Sequence, residues 1–172
     1  VQGVIAQYDQ HDVRCPGLDV AVVSSVPPGG GLSSSAALEL ATAHLLEAVT
    51  SQTLTPAERI QASVQAERDM AGVPCGIMDQ TVVELAASGQ ALLLDCLDQT
   101  ARSVPFDSQA PALLVIHSGV SHSLAEGAYA QRRAECERAS ALLGVNSLRE
   151  VSPDQLARLK DAGVLHQRVT HV

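Results

Sequence analysis

The chain has 172 residues, 46% of them hydrophobic, and carries a formal net charge of −8 with a pI near 5.1. That length allows one ordinary domain or parts of two, with enough apolar residues for a real core. The acidic balance, with no basic stripe and no interleaving of aromatic and basic residues, argues against nucleic acid as a partner, and no apolar run approaches the ~20 residues of a membrane span.

One Phe, two Tyr and no Trp leave the core to Ala, Val and Leu. Cys15, Cys75, Cys96 and Cys136 lie far apart and form no CxxC pair. They read as reduced thiols of a cytoplasmic protein, and no signal peptide is seen. The chain opens at Val1 without a methionine and stops at "QRVTHV", so it is expected to be a piece of a longer protein.

In chain order, "LDVAVVSSV" (18–26) is β-branched and apolar and predicts a buried strand. It runs into "PPGGGLSSS" (27–35). A helix is expected over 34–49, where Leu38, Thr42, Leu45 and Val49 share a face. "TPAE" (55–58) is a helix start, with Thr55 as N-cap, Pro56 in the first position and Glu58 closing a capping box. That helix is expected to end near Ala71, before Gly72 and Pro74. "GVPCGIMDQ" (72–80) is a second Gly/Pro loop leading into a helix over 77–87. Strands are expected at 91–95 and 112–118, a long helix at 126–143 before Gly144, and a shorter one from Ser152-Pro153 to Gly163. No internal repeat is seen, and the pattern is mixed α and β in layers.

The first glycine loop poses a chemical question. A helix start exposes unpaired N–H groups with partial positive charge, and glycine lets a phosphate approach the backbone. The common phosphate loop ends in Gly-Lys-Ser/Thr, but here Leu32 and Ser33 follow Gly31, and Lys160 is the only lysine in the chain. A strand–glycine–serine–helix unit can still cradle phosphate by backbone N–H groups, and a flexible turn with serine caps fits the same residues.

Glu67 shares a stripe with Ile60, Val64 and Ala71 on the 56–71 helix and is the one carboxylate there. A carboxylate on an apolar face needs a partner. A salt bridge, a hydrogen bond to a loop, or a Mg²⁺ ion at a phosphate site each supplies one. Asp79 falls in the first turn of its helix, which favours its ionised form and is also an ordinary helix-starting position. His117 and His122 lack helical metal spacing, and no Cys/His cluster has zinc spacing. Ser33 to Ser35 lack the nucleophile elbow of a hydrolase.

Together three stretches are far more specific than singly. "PPGGGLSSSAALE" (27–39), "GVPCGIMDQ" (72–80) and "HSGVSHSLAEGAYAQRRAECERASALLG" (117–144) resemble, in order and spacing, motifs of the GHMP small-molecule kinases, within them the members that phosphorylate galactose. The resemblance implies an α+β fold of the GHMP kinase type. Its N-terminal domain is similar to ribosomal-protein S5 domain 2 and its C-terminal domain is ferredoxin-like, both incomplete here. The boundary is expected near 90–110, with 1–100 in the ATP-binding domain and 101–172 opening the second.

The resemblance also implies roles. Gly29, Gly30, Gly31, Leu32, Ser33, Ser34 and Ser35 match the loop around the ATP phosphates. Ser35 and Glu67 match the residues that touch Mg²⁺, Asp79 matches the catalytic aspartate, and Gly76 and Tyr129, with Asp79, match contacts to galactose. The implied reaction moves a phosphoryl group from ATP to the C1 hydroxyl of galactose. A galactose- and ATP-binding regulatory sensor, and a sister kinase acting on N-acetylgalactosamine, are the alternatives. The implied partners are small molecules only, with no nucleic acid and no membrane, and a monomer is expected. Two departures stand out. His117 and Gly119 stand where asparagine is usual, and Ser121 where a basic residue is usual. An N-terminal sugar-holding motif and a C-terminal glycine-rich motif lie outside the 172 residues, so these alone are expected not to turn over galactose.

Overall fold

The computed structural model describes residues 1–106, 112–116 and 127–172. Its contacts divide into two compact units, Val1–His122 and Ser123–Val172, downstream of the 100/101 division expected from the resemblance.

In the first unit, helix α1 (Gln2–Asp9) packs against α3 (Pro56–Ala71) and α2 (Ser34–Thr50). Val4, Tyr8, Val13, Ala43, Leu46, Ala62 and Ala66 form the core. Each large aliphatic or aromatic side chain buried there contributes about 1.5–3 kcal/mol. α1 can come so close to α3 because Gly3 has no side chain. A Cβ there would stand 2.9 Å from Met70 Cγ and 3.0 Å from the Ala66 carbonyl oxygen. The sequence reading assigned nothing to residues 1–17, since α1 has no side-chain cap to announce it.

α3 has the limits that its caps predict. Thr55 accepts the Glu58 N–H, Glu58 reaches back to the Thr55 N–H, and Gly72 ends the helix in the left-handed region at φ 67°. α2 also forms where expected, but on a different face. Ala36, Glu39, Leu40, Thr42, Ala43 and Leu46 are buried, whereas Leu38 and Val49 are exposed. The short α4 (Met78–Leu85) buries only Gln80 and Thr81.

Strand β1 (Gln90–Asp95) pairs antiparallel with β2 (Thr100–Pro105), Gln90 opposite Pro105 and Asp95 opposite Thr100. β2 was not anticipated, its polar "TARS" giving no apolar run. Two strand expectations fail. Residues 18–26 form no strand, and Val20, Val22 and Val23 are exposed. Residues 112–116 are likewise irregular, with Leu113 to Ile116 exposed, and 117–118 lie outside the described residues. An apolar run becomes a strand only beside another strand, and the described strands pair with each other alone.

The second unit contains α5 (Ala128–Leu143), a 3₁₀ turn (Leu148–Glu150), α6 (Pro153–Ala157) and α7 (Val164–His171). Ala139, Leu143, Leu159 and Val169 form its core, and Arg168 grips Glu135 Oε2 through two nitrogens at 2.9 and 2.6 Å. α5 stops at Gly144 as expected, and residue 126 lies outside the described residues. The helix expected over 153–163 ends at Ala157. The chain then turns through Gly163 into α7, which the sequence reading missed.

One buried cation ties the first unit together. Arg59, 8% exposed, bonds both Glu47 oxygens at 3.1 Å, Glu84 Oε1 at 2.8 Å and the Leu54 carbonyl at 2.6 Å. The Tyr8 hydroxyl donates to Glu47 at 3.0 Å. Burial opposes ionisation of Glu47, but the Leu54 N–H, the Arg59 guanidinium and the Tyr8 hydroxyl together hold its carboxyl below the usual range. Burial likewise pushes the Tyr8 hydroxyl up, as does the Glu47 carboxylate beside it. Removing one partner of such a buried group strands charge and costs about 3–5 kcal/mol. Arg59→Leu is therefore expected to lower unfolding stability by that amount, read from urea melts; a loss below about 1 kcal/mol would show that the network is incidental.

Candidate functional site

The glycine loop takes its shape from two left-handed residues, Gly29 at φ 70° and Gly31 at φ 71°. A Cβ on either would meet nothing within 4 Å, so glycine is required there by the backbone and not by crowding. Ser33, at φ 53° and ψ 37°, is the N-cap of α2, yet its side chain caps nothing and the first turn holds no acidic residue. Ser33, Ser34 and Ser35 are half-buried, and Leu32 is exposed. The start of a 17-residue helix thus presents N–H groups without a capping side chain, an arrangement suited to an anion.

One turn beyond Ser35, α2 carries Glu39, which is buried. α3 buries Glu67 beside it in the fold. Between them stands Gln80 of α4, fully buried. Its amide nitrogen donates to Glu39 Oε2 at 3.0 Å and to Glu67 Oε2 at 2.8 Å, and its own Oε1 has no hydrogen-bond partner among the described residues. Among the described residues no lysine, arginine or histidine forms an ion pair with either carboxylate. Two buried carboxylates held by neutral donors, the Gln80 amide and on Glu67 also the Cys75 thiol, have little positive charge near them beyond the Val1 amino group that acts on Glu39. The consequence falls on Glu39, whose carboxyl burial pushes up to about 7, against the lowering hydrogen bond from Gln80 and with the Glu67 charge adding to the rise.

Asp79 precedes Gln80 in the first turn of α4. It is half-buried and has no hydrogen-bond partner among the described residues. Its loop is fastened by Arg68, which donates to the Cys75 carbonyl through Nε at 3.1 Å and Nη2 at 2.7 Å. Burial, together with the hydrogen bond and charge of Glu67, pushes the Cys75 thiol up to about 11, so it is not a reactive thiolate. Gly76 is exposed in that loop.

The predicted residues are therefore only partly brought together. Glu67 and Asp79 are linked through Gln80, and Gly29 to Ser35 lead into the helix that carries Glu39. Tyr129 belongs to the second unit, half exposed, with the Arg132 guanidinium 5.9 Å from its ring. His117, Gly119, Ser121 and His122 lie outside the described residues. Sequence reasoning missed Glu39 and Gln80. Glu39 sits on the face that the Leu38–Val49 stripe draws attention away from, and a signal was present in the buried spacing Ala36, Leu40, Ala43 around it. Ser63, fully buried on α3 with a hydroxyl unpartnered among the described residues, was also missed.

The implied Mg²⁺ fits what is present. Glu67 and Ser35 offer the oxygen donors a hard cation takes, and among the described residues no lysine, arginine or histidine pairs with either buried carboxylate. Among the described residues no three His, Cys, Asp or Glu side chains group around a common point, so a cation here would take other oxygens as well.

Comparison with known proteins places the chain in a family. The family described as "GHMP kinases N terminal domain" matches residues 1–87. A galactokinase of Homo sapiens is 45% identical over 161 residues, which is 94% of this chain and 41% of that protein. A galactokinase of Thermotoga petrophila is 36% identical over 172 residues, all of this chain and 49% of its relative. The crystal structure of Lactococcus lactis galactokinase complexed with galactose matches with a TM-score of 0.74 at 24% identity, covering 99% of this chain and 46% of that one. The chain spans less than half the length of these relatives.

Because Glu39 is raised from 4.5 to about 7 in the folded chain, folding binds a proton there. The stability this gives is complete below pH 4.5 and is lost as pH rises towards 7. In metal-free buffer, Glu39→Gln is expected to gain about 2 kcal/mol on the wild type between those two pH values, measured by urea unfolding. A constant difference between the two would contradict the assignment.

Proposed function

The chain belongs to the GHMP kinase family, and from that membership we propose that it forms the core of a kinase that transfers a phosphoryl group from ATP to the C1 hydroxyl of galactose. The observation that carries the reading is the position of Asp79. It is half-buried at a helix start, free of hydrogen-bonded partners among the described residues, and one residue from the amide that holds Glu67.

Each residue's part follows from its chemistry. The N–H groups of Gly29 to Ser35 and the start of α2 bind the phosphates and hold the γ-phosphoryl group in line. Ser35 and Glu67 hold Mg²⁺, which when bound with the nucleotide neutralises charge on the transferring group. Asp79 orients the sugar C1 hydroxyl and accepts its proton as the new O–P bond forms and the bond to the ADP oxygen breaks. Gly76, on the loop before Asp79, contacts the sugar with it. The products are galactose 1-phosphate and ADP. The four cysteines form no disulfide, which supports a reducing compartment such as the cytoplasm, and no described helix is long and apolar enough to cross a membrane.

The test is galactose-dependent ADP release in the full-length polypeptide. Asp79→Asn keeps the shape of the side chain and removes the proton acceptor, so kcat is expected to fall by about 10²-fold or more while the KM for ATP stays within about threefold. A wild type that binds galactose and ATP yet releases no ADP would instead mark a sensor. An Asp79→Asn variant as fast as wild type would remove Asp79 from the chemistry.

A further inference from the structure

Gln80 lies outside every role so far assigned, yet among the described residues it is the only side chain that hydrogen-bonds both buried carboxylates. A primary amide has two N–H hydrogens. Here Glu39 of α2 takes one at 3.0 Å and Glu67 of α3 takes the other at 2.8 Å, so the donor capacity of the group is used up. The amide cannot rotate to pair its unpartnered Oε1 without losing both bonds, and it is fully buried, so water does not replace them. The three groups therefore fix one another across three helices.

Resting on the reading of Glu67 as the cation ligand, we infer that Gln80 is a positioning residue that sets the orientation of the Glu67 carboxylate for a divalent cation, with Glu39 as the acceptor that holds the amide in place. Glu67 spends one oxygen, Oε2, on the amide. The bond fixes the plane of the carboxylate and leaves lone pairs on it for a metal. Groups that orient a metal ligand in this way typically change metal affinity by about 10–100-fold when removed. Glu39 acts through geometry and not as a ligand. A glutamine in its place still offers a carbonyl oxygen to the Gln80 amide, whereas a leucine offers nothing.

The experiment is Mn²⁺ binding in the presence of ADP, read from the electron paramagnetic resonance signal of free Mn²⁺, with the full-length polypeptide at a temperature well below its melting point. Glu67→Gln is expected to weaken Mn²⁺ binding most. Gln80→Met, similar in shape but without the donors, is expected to weaken it by about tenfold or more. Glu39→Leu should match Gln80→Met, and Glu39→Gln should stay within about threefold of wild type. Glu39→Leu keeps the test available if Gln80→Met does not fold. If Glu67→Gln binds Mn²⁺ as the wild type does, the cation reading falls and takes this inference with it. If Glu67→Gln loses the metal while folded Gln80→Met or Glu39→Leu keeps wild-type affinity, only the positioning role is overturned. Equal weakening by Glu39→Gln and Glu39→Leu also overturns it, because charge and not orientation would then be what Glu39 supplies.

Discussion

Helix α4 is held by polar groups, and the candidate site depends on that. A helix of eight residues that buries only a glutamine and a threonine has little hydrophobic reason to stay in place. Its two firm attachments are Gln80, donated to Glu39 and Glu67, and Glu84, bonded to Arg59. The first attachment sits next to Asp79 and the second lies near the far end of the helix. Such contacts are directional, and they fix the helix in rotation as well as in position, as an apolar stripe alone would not. Asp79 is consequently presented by a rigid element although it stands in the first turn after a Gly/Pro loop, with Arg68 fastening that loop through the Cys75 carbonyl.

The same contacts distribute charge unevenly. Around Arg59 one guanidinium meets Glu47 and Glu84, with the Leu54 N–H and the Tyr8 hydroxyl adding donors, so buried charge is largely matched. Around Gln80 two carboxylates meet a neutral amide. The deficit is met by a proton, as the raised Glu39 carboxyl indicates, or by a cation. An uncapped helix start on α2, suited to an anion, and a site between α2 and α3 that no lysine, arginine or histidine among the described residues neutralises are complementary needs, which the proposed nucleotide phosphate with its divalent cation would satisfy together.

Much of this was legible in the chain because its signals are local. Thr55, Pro56, Glu58 and Gly72 place both ends of α3 by capping chemistry that involves neighbours in sequence only. Glu67 stood out as a carboxylate on an apolar stripe for the same reason. What depends on distant partners was not legible. The apolar run 18–26 reads as a strand, but no described strand runs beside it, and it is exposed. Arg59 and Gln80 read as ordinary helix residues, since nothing in their local sequence says that Glu47, Glu84, Glu39 and Glu67 converge on them from other helices. The face of α2 was misread because Leu38 and Val49 are larger than Ala36 and Ala43, whereas close helix packing selects the small residues.

In the proposed function these groups together serve phosphoryl transfer to one hydroxyl of a sugar. The most direct measurement is ³¹P nuclear magnetic resonance of galactose, ATP and Mg²⁺ incubated with the full-length polypeptide. The γ-phosphate signal is expected to be replaced by a sugar phosphate whose phosphorus couples to the proton on C1 of galactose, with ADP in equal amount. Inorganic phosphate as the only new phosphorus signal beside ADP, or a phosphate coupled to any other carbon-bound proton of the sugar, would contradict it.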